Sequence, residues 1–190
     1  MRYLHAKITE ERIECKLEGI CPTVKKSIRG ERVNCVNGQA AGYACNNVDL
    51  LSFVSLSDLG SSSNADGNDI WGYTNADGEH FAVTGQTDGS TIVDVTDPVN
   101  PIVLCFIPSR VSTNTIWRDI KMAKNNLGQM FAYIVADRGG QGLQWIGLDA
   151  AIATCRAREE RPYEMNEGTD FGWVGNPIFS GATNTHNIVG

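Results

Sequence analysis

The sequence predicts an all-β fold of the β-propeller type, made of four-stranded antiparallel blades and incomplete, with about two blades and the start of a third. Three observations predict it. Two stretches fifty residues apart match in one ungapped register, Asp69-Ile70 with Asp119-Ile120, Asn75 with Asn125, Gly78 with Gly128 and Phe81-Ala82 with Phe131-Ala132. After a three-residue insertion Gly89 stands opposite Gly142, and residues 90–95 stand opposite residues 143–148. Gly, Asn, Asp and Pro signals then cut each stretch into segments of strand length.

Residues 1–34 precede the repeats, and only residues 8–17 have a helical cast, with Ile8, Ile13 and Leu17 spaced among charges. Partial alternation over residues 48–56 predicts a strand, and residues 61–68 read as a loop. The first unit runs over about residues 69–107. Its first strand is 69–74, Asn75-Ala76-Asp77-Gly78 is a hairpin turn, and 80–85 is the return strand. Asp88-Gly89 turns into a third strand at 90–95, and the corner at Pro98 and Pro101 leads to a fourth at 102–107. The second unit repeats this over about 117–155, with Asn125-Asn126-Leu127-Gly128 as its first turn. A Gly/Asn-rich insert follows at 156–182, and a third unit opens at about residue 185. Closed propellers use four to eight blades. The sequence is therefore expected to be a fragment of a longer protein, or a partial array completed by another chain.

A hydrophobic content of 42% is enough for a buried core, and a net charge of -6 argues against a nucleic-acid partner. Residues 1–34 carry eight Lys and Arg against five Asp and Glu, so a basic segment precedes an acidic body. No run reaches the 18 or so apolar residues of a membrane helix, and no signal peptide is visible at the start. The six cysteines lack a CxxC pair and a nearby His, a pattern that favours disulfides and an oxidising compartment over a metal site. Cys35 and Cys45 bracket a Gly-rich span and are the best local pair; Cys105 and Cys155 either bridge adjacent units or stay as buried small hydrophobes, and Cys15 with Cys21 is a third option.

The run from Cys35 to Ser52, followed by Asp69-Ile70-Trp71-Gly72-Tyr73, resembles the choice-of-anchor B family of LVIVD-repeat proteins. Val93-Asp94-Val95-Thr96-Asp97-Pro98 with Asn100-Pro101, Trp117-Arg118-Asp119-Ile120-Lys121 and His186-Asn187-Ile188 follow in the family's order, so the resemblance covers about residues 35–190. It implies a β-propeller-like repeat domain on secreted or surface-anchored proteins, extracellular placement, and no established catalytic activity.

Asp69, Asp119 and His186 stand at the opening strand of their units. If that strand is innermost, the three gather around a central channel, where they could hold Ca²⁺ or another divalent cation. The favoured alternative is that each hydrogen-bonds the neighbouring unit's backbone and fixes packing. Neighbouring positions in a strand point to opposite faces, so Glu79 and His80 make no acid–base pair. The Asn64-Ala65-Asp66-Gly67-Asn68-Asp69 loop has Tyr73 where a calcium hand needs its bidentate Glu, and no Gly-x-Ser-x-Gly elbow occurs. Trp71, Trp117, Trp145 and Trp173 either pack between units or line a carbohydrate-binding face. The expected function is a non-catalytic binding or scaffolding platform for a protein or carbohydrate ligand, with a metal-dependent enzyme of the channel ring as the alternative.

Overall fold

The computed structural model describes residues 26–62, 65–109, 115–137 and 142–166. In chain order the elements are β1 (Gln39–Ala40), β2 (Tyr43–Ala44), β3 (Gly67–Thr74), β4 (His80–Gln86), β5 (Gly89–Asp94), β6 (Ile102–Pro108), β7 (Ile116–Lys124), β8 (Met130–Asp137), β9 (Gln144–Gly147), α1 (Leu148–Arg156) and β10 (Tyr163–Glu164). The first sheet has the order β10-β6-β5-β4-β3, antiparallel except where β10 joins β6, and the second is an antiparallel meander, β7-β8-β9. The protein is thus mostly β, and among the described residues neither sheet closes into a ring.

The repeat is visible atom for atom in the first turns. The Asn75 side-chain oxygen accepts the backbone N–H groups of Asp77 and Glu79 at 3.0 and 2.9 Å, and that of Asn125 accepts those of Leu127 and Gln129 at 2.9 and 3.0 Å. Each Asn thereby supplies in its side chain the acceptor that a tight turn needs. Gly78 and Gly128 close the turns at φ of 81° and 76°, a region costly for any residue with a Cβ.

Alternation sorts the strands into faces. Phe81, Val83 and Ile92 of the first sheet face Ile120, Ala132, Ile134 and Ile146 of the second, all buried in one cluster. Leu148, Ala151, Ile152 and Cys155 of α1, with Met165, close the same cluster. On the opposite face of the first sheet, Leu59, Val54 and Leu56 cover Val93 and Val103.

Three sequence expectations need correction. The second unit has no fourth strand: α1 stands in its place. Leu148, Ala151, Ile152 and Cys155 follow the i, i+3, i+4, i+7 spacing of a helix and all four are buried. The strand expected over residues 48–56 is reduced to isolated pairings of Val33 with Leu50 and Ile28 with Phe53. Gly30, at φ 105°, turns its N–H away to the Val99 carbonyl at 2.8 Å, so no continuous ladder can form between those pairings. The insert expected over 156–182 also carries order: β10 pairs with β6, and the Met165 N–H reaches the Phe106 carbonyl at 2.9 Å.

Disulfides link Cys35 to Cys45 across the β1–β2 tip and Cys105 to Cys155, which ties β6 to α1. Cys15 and Cys21 lie outside the described residues.

A Cβ added at Gly89 would stand 2.7 Å from the Ile107 carbonyl oxygen and closer still to the Phe106 ring. Gly89→Ala is therefore expected to cost roughly 1–3 kcal/mol in urea unfolding through overpacking. Gly72→Ala, which meets nothing within 4 Å, is expected to stay within about 0.5 kcal/mol of the parent.

Candidate functional site

The matched openings of β3 and β7 bring Asp69 and Asp119 to the junction of the two sheets. Asp69 Oδ2 accepts the backbone N–H of Ile120 at 2.9 Å, tying one unit to the next. Lys121 Nζ lies 2.6 Å from Asp119 Oδ1 and 3.8 Å from Asp69 Oδ2, and it donates to the Ile120 carbonyl at 3.1 Å. Its ammonium also sits 4.7 Å from the centre of the Trp71 ring. One ammonium thus faces both carboxylates and an aromatic face, an arrangement that offsets half the charge of the pair. His186, the third residue of the expected ring, lies outside the described residues. Among the described residues no group of three or more His, Cys, Asp or Glu side chains is placed to hold a metal ion.

Arg118, one position before Asp119, is 3% exposed. Its Nε donates to the Gln86 carbonyl at 2.7 Å and its Nη2 to Thr115 Oγ1 at 2.9 Å. Burial pushes its pKa down to about 10, against the opposing pull of Asp88, so it remains a cation at neutral pH. Gly85 makes room for it: a Cβ there would lie 3.1 Å from Arg118 Cδ.

At the opposite end of the junction, the two Asn turns and α1 border a cleft of about 560 Å³, lined in part by Tyr73, Asp77, Glu79, Lys124, Asp149 and Arg156. Arg156 holds it together. Its guanidinium grips Glu79 at 2.8 and 2.9 Å, reaches Asp94 at 2.6 Å and lies 5.2 Å from the centre of the Phe81 ring. Hydrogen bonds from Arg156 and then Asn75 hold the Glu79 carboxyl below its ordinary range. Burial pushes Asp94 up, but hydrogen bonds from Thr96 and Arg156 outweigh it and leave that carboxyl lowered too. Tyr73 donates to Asp149 Oδ1 at 2.6 Å; burial first, then that hydrogen bond and the Asp149 charge, push the phenol up to about 12. The wall of the cleft is polar, with Arg156 shared between two carboxylates and Asp149 held by a phenol.

His80 takes no part in this network. Its Nδ1 is 3.0 Å from Thr74 Oγ1 on an exposed strand, while the neighbouring Glu79 is engaged by Arg156. Of the four tryptophans, Trp71 stays 38% exposed beneath the Lys121 ammonium, and Trp145 lies half-buried on the outer face of the second sheet, edge-on to Phe131. Trp173 lies outside the described residues.

No family model, no curated protein and no solved structure matches the chain.

Sequence reasoning missed Arg118 and Arg156 as organising residues. Arg118 is flanked by Asp119 and could be read only as part of a motif, because its burial follows from tertiary packing on Gly85. Arg156 was detectable once the apolar spacing of residues 148–155 was read as a helix, since a basic residue in a last turn complements the helix dipole.

Asp69→Ala removes the acceptor for the Ile120 N–H and is expected to cost about 1 kcal/mol of unfolding free energy, with metal content by elemental analysis unchanged. A metal lost from an intact fold would show a cation site instead. Acid supplies a second check. Because the Glu79 and Asp94 carboxyls are lowered below 4.5 and 3.8, their contribution is present above those values and lost as pH falls through the lowered ones. Tm should therefore decline on acidification in the parent, and Arg156→Leu should flatten that decline.

Proposed function

We propose that this chain is a non-catalytic binding or scaffolding domain of a secreted or cell-surface protein, presenting a β-propeller-like platform of the choice-of-anchor B type. The observation that carries the reading is the repetition itself. Two turns of the same construction, at Asn75 and Asn125, join the first two strands of two sheets that share one core. Such repeats add area by stacking, and their exposed turns and faces make broad binding surfaces.

Further support comes from the two disulfides, which persist in oxidising compartments. No helix among the described residues is long and apolar enough to cross a membrane, which accords with a domain held outside the bilayer. The cleft beside Arg156 and the aromatic face at Trp145 are the two surfaces on which a protein or carbohydrate ligand would be sought.

Expression through a secretory route, followed by non-reducing peptide mapping and binding assays on glycan and extracellular-matrix protein arrays, tests the reading. The expected result is secreted protein with Cys35–Cys45 and Cys105–Cys155 linked, binding a defined ligand without converting it. Protein that folds only with free thiols, or turnover that is lost in Asp119→Ala while the fold stays intact, would overturn it.

A further inference from the structure

We propose that the free edge of β3 accepts an added strand: Ile70, Gly72 and Thr74 turn their backbone N–H and C=O groups outward, and an extended, basic peptide segment of a partner protein pairs with them. A strand at the rim of a sheet presents a row of unpaired backbone groups, which proteins either guard or use.

In an antiparallel ladder, facing residues alternately exchange both backbone hydrogen bonds and none. The His80 carbonyl accepts the Val95 N–H at 2.8 Å and the His80 N–H donates to Thr96 Oγ1 at 2.9 Å, so His80 gives nothing to Thr74, which faces it. Alternation then turns Thr74, Gly72 and Ile70 away from β4, while Tyr73 and Trp71 bond to it. β3 ends the order of its sheet, and all three outward residues are exposed, Ile70 at 60%. Among the described residues their N–H and C=O groups have no hydrogen-bond partner. A Cβ added at Gly72 would meet nothing within 4 Å, so the space beside the strand is open there.

The same molecule contains a guarded rim for comparison. Ile120 of β7 corresponds to Ile70, and there Asp69 takes the outward N–H at 2.9 Å while Lys121 donates to the carbonyl at 3.1 Å. In the first unit Trp71 stands at the position of Lys121, with no ammonium to offer, and the Ile70 groups stay open. Charge selects the partner. Residues 66–79 hold four carboxylates, Asp66, Asp69, Asp77 and Glu79, and no Lys or Arg. Lys121, Lys124 and Arg156 approach from other elements, but Lys121 is shared with Asp119 and Arg156 with Asp94, so carboxylates outnumber cations along this rim. An incoming strand that carries Lys or Arg is attracted, and one that carries Asp or Glu is repelled. Opposite Gly72 an aromatic side chain fits, because it covers the backbone that a strand glycine leaves bare.

The test adds a probe peptide, Lys-Val-Thr-Tyr-Thr-Val-Lys, to the full chain and reads amide hydrogen exchange residue by residue. In the chain alone the Ile70, Gly72 and Thr74 amides should exchange freely while those of Trp71 and Tyr73 are protected. With the probe the first three should slow by about tenfold, the effect of one hydrogen bond each. A probe with Glu in place of both lysines, or with its backbone amides N-methylated, should leave them unchanged. Gly72→Pro removes one outward N–H at a rim position where proline is tolerated, and it should abolish the effect of the probe while Trp71 and Tyr73 stay protected. Ile70→Lys, a guarding charge on an exposed side chain, should do the same and decides the matter if the proline variant loses its pairing with β4. Protection of all three amides in the chain alone would mean that its own residues cover the rim, and overturns the proposal. So does a probe that protects other amides, protects none, or acts equally on Ile70→Lys.

Discussion

An antiparallel sheet with an apolar face cannot leave that face in water, and neither the β3–β6 meander nor the three strands β7–β9 could stand alone. Their mutual burial is the constraint on which everything else depends. Phe81, Val83 and Ile92 meet Ile120, Ala132, Ile134 and Ile146 with essentially no exposure on either side. A Leu- or Ile-sized side chain lost from such a site costs roughly 2–5 kcal/mol. An exposed ion pair contributes about 0.2–1 kcal/mol. The pairing of the two faces therefore holds the molecule together, and the charged ties are adjustments on top of it.

Those ties decide how the faces are aligned. Burial of apolar surface is non-directional, so two flat faces could slide against one another with little change in area. Asp69 reaching the Ile120 N–H, and buried Arg118 reaching the Gln86 carbonyl, each demand one relative position. Arg156 does the same for α1, fixing the helix to Glu79 and Asp94 of the first sheet while the Cys105–Cys155 bond holds its last turn to β6. The carboxylates at these points are spent on register. Asp119 instead meets Lys121 within its own strand, and it is Lys121 that reaches across toward Asp69.

Much of this was legible in the sequence, and the parts that were not failed for identifiable reasons. The Asn-to-Gly turns could be read because their geometry is local: a side-chain acceptor and a glycine at positive φ suffice. Strand alternation and the fifty-residue repeat likewise need no knowledge of the fold. The helix α1 was misread because the repeat imposed a four-strand template on residues 148–155, overriding their plain helical spacing. The fragmentary pairing near residue 50 was missed because it depends on where Gly30 sends its N–H. Arg118 and Arg156 are tertiary facts, visible only once Gly85 and Glu79 are brought beside them.

The divergence between the two units carries the functional argument. Where the repeat is kept, as in the turns and at the Asp69 and Asp119 openings, it serves construction. Where it departs, the two ends of the stack differ in kind. Ile70 is 60% exposed while its counterpart Ile120 is at 0%, so the β3 edge of the first sheet has kept an apolar residue without a sheet against it. Val83 and Ile92 are replaced at the corresponding outer positions of the second sheet by Tyr133 and Trp145, side chains with an apolar body and a polar tip. A sheet meant only to be buried gains nothing from those tips. The two units thus differ most at the outer face and at α1, and the positions they share, the Asn turns and the Asp69 and Asp119 openings, supply the frame that holds both.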